Sequence, residues 1–216
     1  MTVIAIDSDL GSDGDLIAAT VATRLELNLI DDAFLFERLK HHGLAIPETF
    51  AANPNESFPW CTVGTKLRLE LLLLAQQEQI LLHWPCAPYL LAEIGHIPRI
   101  KVRAPLSVRV RRYAARWGCN EQEARRRIAE HEGKTRFIFN ACFGVSSPRP
   151  ADTYHLVADT GWLAPADWAD EIVELAKDQE FAASTASQGM LRWLLLQLPQ
   201  AQDTTHPAEC SATREC

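Results

Sequence analysis

The sequence predicts an α/β fold in three layers, a mainly parallel sheet covered by helices on both faces. Short apolar or β-branched runs alternate with helical periodicities along most of the chain. The 216 residues suffice for one such domain with a substantial core. The chain also opens on strand, glycine turn and helix, an order that aims backbone N–H groups at an anion.

Val3 to Ile6 reads as a buried strand, too short and uniform for an amphipathic helix. A turn follows from Asp7 to Gly14, after which Leu16, Ile17, Thr20, Val21, Arg24 and Leu25 recur at helical spacing. Leu27 to Ile30 predicts a second strand. Asp31 or Asp32 then caps a helix to about His42, stopped by Gly43. Residues 45–59 read as an insertion rich in Pro and Asn, a possible partner surface. A leucine-rich helix is expected over Thr65 to Gln77, a strand over Ile80 to His83, and a short turn or helix over Ala87 to Glu93.

Arg99 to Arg103 alternates, so one face is expected to be buried and the other basic. Pro105 suits the first position of a helix that Gly118 closes after Trp117. Asn120 with Glu123 resembles a capping box opening a helix to about Phe139. A Ser/Pro loop over Gly144 to Pro150 precedes a last strand, Tyr154 to Ala158, and a helix over Pro165 to Lys177. Gln188 to Leu198 is apolar enough to pack on the body. The polar segment 200–216 is expected to be a disordered tail behind a single domain, 1–199.

Composition narrows the functions. The formal charge is −7, yet twelve Lys or Arg face only four Glu between Arg99 and Arg136. One basic segment in an acidic chain suits a local anion site and argues against a nucleic-acid binder. No apolar run approaches the roughly 20 residues of a membrane span. The six cysteines form no CxxC pair and the seven histidines no HExxH spacing, so a metal site is not expected. Reduced thiols and no evident signal peptide suggest the cytoplasm. Trp84, Trp162, Trp168 and Trp193 read as packing, His83 as a satisfied core histidine, and Cys86 as a small hydrophobe.

Four stretches carry a family resemblance: residues 4–14 with the helix behind them, Leu27 to Asp32, Ala104 to Arg112, and Gly118 to Ala124 with Ile128. Over about residues 3–178 the chain resembles the cytidylate kinase-like family of P-loop nucleoside monophosphate kinases. The resemblance implies a P-loop NTPase-like fold with a helical lid at about 105–145. It also implies transfer of the ATP γ-phosphoryl group to CMP or a related acceptor, assisted by Mg²⁺. The implied phosphate cradle is Gly11, Ser12, Asp13, Gly14 and Asp15. Asp159 and Thr160 would lie near the base, and Arg109, Arg112 and Arg136 would supply cations.

The departures are concentrated at the loop. Relatives read like GSGGRE there, and this chain places Asp13 and Asp15 where they have a glycine and the arginine. The relatives' GRG segment aligns with Trp84-Pro85-Cys86, without its arginine. Phosphoryl transfer depends on positioning and positive charge, which three loop carboxylates (Asp9, Asp13, Asp15) oppose. These aspartates either pair with lid arginines or cap the helix. Arg109, Arg112 and Arg116, spaced i, i+3 and i+7, either contact phosphate, as the resemblance implies for the first two, or form a solvated face; Arg125 to Arg127 read as solvated. Asp159-Thr160 reads on its residues more simply as a strand-end turn. Two functions remain open. One is a degenerate Walker A protein with weakened or lost phosphotransfer that binds a nucleotide, another small anion or a protein partner. The other is an active kinase using ATP and Mg²⁺.

Overall fold

The computed structural model describes residues 2–41, 60–77, 79–145 and 153–198. The Gly43 stop, the 45–59 insertion, most of the Ser/Pro loop and the tail lie outside them. Five strands form one sheet: β1 (Val3–Ser8), β2 (Asn28–Ile30), β3 (Ile80–His83), β4 (Arg99–Arg103) and β5 (Leu156–Asp159). Their order is β2-β3-β1-β4-β5 and every pairing is parallel. A parallel sheet must be covered on both faces, and the connecting helices do so.

The central strand β1 shows how the layers divide. Ile4 and Ile6 face one core with Leu81, Ile100 and Val102, covered by α1 (Gly14–Arg24) and α7 (Pro165–Lys177). Val3 and Ala5 face the other core, covered by α3 (Trp60–Gln77), α4 (Ala87–Leu90), the end of α6 (Glu121–Phe143) and α8 (Thr185–Gln197). Each fully buried Leu or Ile here contributes about 1.5–3 kcal/mol. Two elements remain. Helix α2 (Asp32–His41) follows β2, with Asp31 accepting the Phe34 N–H. Helix α5 (Leu106–Trp117) forms a hairpin with the first half of α6 around Val110, Ala124 and Ile128.

Several boundaries differ from expectation. Helix α1 starts at Gly14, because the loop has already turned there; Leu16 is 56% exposed while Ile17 and Val21 make the contact. Helix α3 begins five residues early, at Trp60, which packs edge-on against Phe137. Helix α6 runs on to Phe143, since Phe139 and Cys142 bury against the α3 layer. Strand β5 starts at Leu156, because Tyr154 leaves the sheet to bond Asp7. Pro105 holds the cap position ahead of α5 rather than its first turn. Trp162 and Trp193 are 85% and 52% exposed, so neither is a packing residue; Trp84 is buried as expected.

Candidate functional site

All five strands point their carboxyl ends at one edge, where a cleft of about 790 Å³ opens between the β1–α1 loop, β3, the start of α2 and helix α5. A second cavity of about 340 Å³ adjoins it beneath α6 and beside β4.

The β1–α1 loop, expected to cradle an anion, turns tightly. Gly11 has φ 84°, and a methyl group there would sit 2.7 Å from the Arg109 carbonyl oxygen, so only glycine fits. Asp13 also lies in the left-handed region, φ 60°, which aspartate tolerates better than most residues. It occupies the cap position of α1, but its side chain makes no capping hydrogen bond. The Ser12 N–H is taken by the Asp9 carbonyl at 3.0 Å, and the buried Ser12 hydroxyl lies 3.4 Å from the Val102 carbonyl. Among the described residues no acceptor takes the N–H of Gly11 or Asp13.

What surrounds the cradle is a closed set of ion pairs. Arg112 Nε lies 3.0 Å from Asp13, and Arg116 pairs with Asp15. Arg112 also donates to the Thr160 hydroxyl at 2.7 Å and to its carbonyl at 2.9 Å. The same hydroxyl donates to the Ser12 carbonyl at 2.8 Å, so the buried Thr160 ties lid to loop. Asp159 accepts the Gly161 N–H, forming a strand-end turn, and lies 3.4 Å from Arg103. Arg109 is buried; it donates to the Ala104 carbonyl and pairs with Glu132 at 2.8 Å. Of the arginines expected on one face, Arg112 and Arg116 reach the loop aspartates, whereas Arg109 turns to Ala104 and Glu132. Arg136 sits apart, exposed at the second cavity, and has no ion pair among the described residues. Arg126 and Arg127 pair with Glu123 on the outer surface.

A second network was not legible from the sequence. Lys101 bridges Asp7 at 2.9 Å and Asp9 at 2.8 Å, and the Tyr154 hydroxyl donates to Asp7 at 2.6 Å. Burial alone would lower the Lys101 ammonium's pKa, but the two carboxylates outweigh it and hold it above its ordinary value. Burial and Asp7 together push the Tyr154 phenol up. The alternation of Arg99, Lys101 and Arg103 was the available signal, but their fates differ. Arg99 is buried rather than on an open basic face, donating to the Thr153 and Ala92 carbonyls. Tyr154 gave none.

His83 also differs from its expectation. It lines the larger cleft and its Nε2 lies 2.8 Å from Ser8 Oγ, so it is not a core histidine. Cys86 is buried, and burial pushes its thiol well up, as for an inert small side chain. No group of three or more potential metal ligands occurs among the described residues. None of the described helices is long and apolar enough to cross a membrane.

Known proteins resemble this architecture. The family model for the cytidylate kinase-like family matches residues 66–161. A cytidylate kinase of Methanopyrus kandleri is 34% identical over 94 residues, covering 40% of this chain and about half (48%) of that protein. A cytidylate kinase of Sulfolobus acidocaldarius is 25% identical over 172 residues, covering 79% of this chain and 91% of the relative. The crystal structure of an uncharacterized protein from Eubacterium ventriosum superposes with a TM-score of 0.66 at 17% identity, over 83% of this chain and all of that one. The parallel five-stranded sheet with helices on both faces agrees with a P-loop kinase fold in three layers. What the sequence comparisons show is a similarity to the cytidylate kinase-like family over residues 66–161.

Proposed function

We propose that the protein is a divergent cytidylate kinase-like member whose phosphotransfer is weakened or lost, and whose cleft serves a nucleotide-binding or regulatory role. One observation carries this: loop carboxylates occupy the cations that a polyphosphate would need. Arg112 is paired with Asp13, Arg116 with Asp15, and Lys101 with Asp7 and Asp9. Counting Arg109 and Glu132, four cations answer five carboxylates before any ligand arrives.

A bound triphosphate must either displace those carboxylates or sit beside them. Displacing the half-exposed Arg116–Asp15 pair costs on the order of 1 kcal/mol or less, whereas the more buried Lys101 bridges to Asp7 and Asp9 cost more to break. Coexistence is worse, because each like-charge contact near 4 Å costs about 4 kcal/mol of raw repulsion at surface-like screening. Mg²⁺ can bridge one aspartate to phosphate oxygens, which suits Asp9 or Asp15 but not the whole set.

The second reading, an active kinase using ATP and Mg²⁺, is favoured by two features. The Gly11 and Asp13 amides have no acceptor among the described residues, and Arg136 is unpaired among them. The test measures ATP affinity by calorimetry and phosphotransfer to CMP, for wild type and for the double variant Asp13→Gly/Asp15→Arg. The expected result is wild-type turnover far below the roughly 1–100 per second typical of kinases. The variant should bind ATP at least about tenfold tighter, a change of about 1.4 kcal/mol. Wild-type turnover in the ordinary range would favour the second reading; no gain in the variant would refute the electrostatic one.

A further inference from the structure

The proposed function leaves unused a serine–histidine pair in the larger cleft. Strands β1 and β3 are parallel neighbours with Ile6 in register with His83. Ser8, two residues on from Ile6, projects to the same face of the sheet. Its Oγ lies 2.8 Å from His83 Nε2, both side chains are partly buried, and both line the 790 Å³ cleft.

Two further features bear on the reactivity of that hydroxyl. The first turn of α1 rests directly on it: a methyl group on Gly14 would fall 2.6 Å from Ser8 Oγ and 2.2 Å from its Cβ. Glycine at that position lets the positive end of an eleven-residue helix approach the oxygen, where negative charge is favoured. The histidine is set up as a base. Burial lowers its pKa and so favours the uncharged ring, whose Nε2 accepts the Ser8 proton when the ring carries its own proton on Nδ1. Asp15, Asp7 and Asp31 are near enough to stabilise the imidazolium once it forms.

We propose that Ser8 and His83 form a nucleophile–base dyad that accepts an acyl group from small uncharged esters. Ser8 Oγ bonds to the carbonyl carbon while its proton passes to His83 Nε2, and the oxyanion develops under the α1 N-terminus. The bond from carbon to the alcohol oxygen then breaks, and His83 returns the proton to that leaving oxygen. Water, deprotonated by His83, releases the acid and restores Ser8. The carboxylates lining the cleft, Asp9, Asp13, Asp15, Asp31 and Asp32, oppose a polyanion far more than an uncharged ester whose transition state carries a single negative charge, and Arg112 and Arg116 pair two of them.

The experiment uses the full chain with an uncharged fluorophosphonate and with p-nitrophenyl acetate, followed by peptide mapping. The expected result is one adduct per chain on Ser8, absent from the urea-unfolded chain and from Ser8→Ala. An initial burst of one nitrophenolate per chain should accompany it. His83→Gln, checked for unchanged far-ultraviolet circular dichroism, should label the same serine about 100-fold more slowly. An adduct elsewhere, a Ser8 no more reactive folded than unfolded, or a His83→Gln variant labelled at the wild-type rate would overturn the proposal. The mapping of wild type alone decides the first two, so a variant that fails to fold does not shield the idea.

Discussion

Asp32 stands at the mouth of the larger cleft next to Asp31, and its carboxyl answers to both its surroundings and its neighbour. Crowding by the protein, and secondarily the Asp31 charge, push its pKa up from the usual 3.8 to about 6, although the residue is exposed. A raised carboxyl pKa means that the folded state disfavours the ion. The penalty is absent below about pH 3.8, grows between 3.8 and 6, and is complete above 6. Asp32→Asn should therefore raise the melting temperature at pH 8 and leave it unchanged at pH 3.5. After discounting for solvent screening to about 1 kcal/mol, the gain at pH 8 is about 2–4 °C. An equal gain at both pH values would assign the effect to packing instead. The same single-residue view applies to Asp13. Its charge opposes phosphate, yet its φ of 60° keeps a turn in which glycine is the natural occupant. That dual fact was half visible in the sequence. The carboxylate and its misfit with a phosphate loop can be read from residue identity, but its pairing with Arg112 joins residues ninety-nine positions apart.

Helices and strands were legible where apolar period and punctuation agreed. Strands β3 and β4 and helix α7 fall on their expected bounds, and Gly118 ends α5 in the left-handed conformation expected of a stop. Legibility failed where long-range contacts set the boundary, as when Phe139 and Cys142 prolong α6 or Asp7 draws Tyr154 out of line. Helix α6 also holds a prediction of its own. Asn120 caps it by accepting the Glu123 N–H, but Gly133 interrupts the middle, where an added methyl group meets nothing within 4 Å. Glycine in a helix interior costs about 1 kcal/mol relative to alanine. Gly133→Ala should therefore stabilise the protein by about that amount, read as a higher urea midpoint at constant slope. A lower midpoint would mean that the backbone at residue 133 is held by something other than ordinary helix geometry.

At the scale of the whole molecule, stability is unevenly distributed, and the division cuts through one helix. The sheet and its two layers are held by extensive apolar cores, whereas among the described residues the α5–α6 hairpin, the expected lid, encloses Val110, Ala124 and Ile128, with Leu10, Tyr113, Ala114 and Cys119 at its margin. What else holds the hairpin to the body is polar: Arg112 and Arg116 on the loop aspartates, and the Thr160 bridge, while Arg109 with Glu132 ties its two helices together. Polar ties with exposed members are screened by salt, while buried apolar contacts are not. Native-state hydrogen exchange should therefore find α5 and the first half of α6 opening at least about 2 kcal/mol more easily than β1, β3 and β4. Within α6, protection should step upward between Ile128 and Phe139, where the helix passes from the small cluster to the main core. Raising the salt to about 1 M, where the screening length is about 3 Å, should ease opening of the lid but leave the central strands unchanged. Uniform protection along α6, or a salt response shared equally by sheet and lid, would show that the lid is part of one cooperative unit and that its ion pairs hold little of it in place.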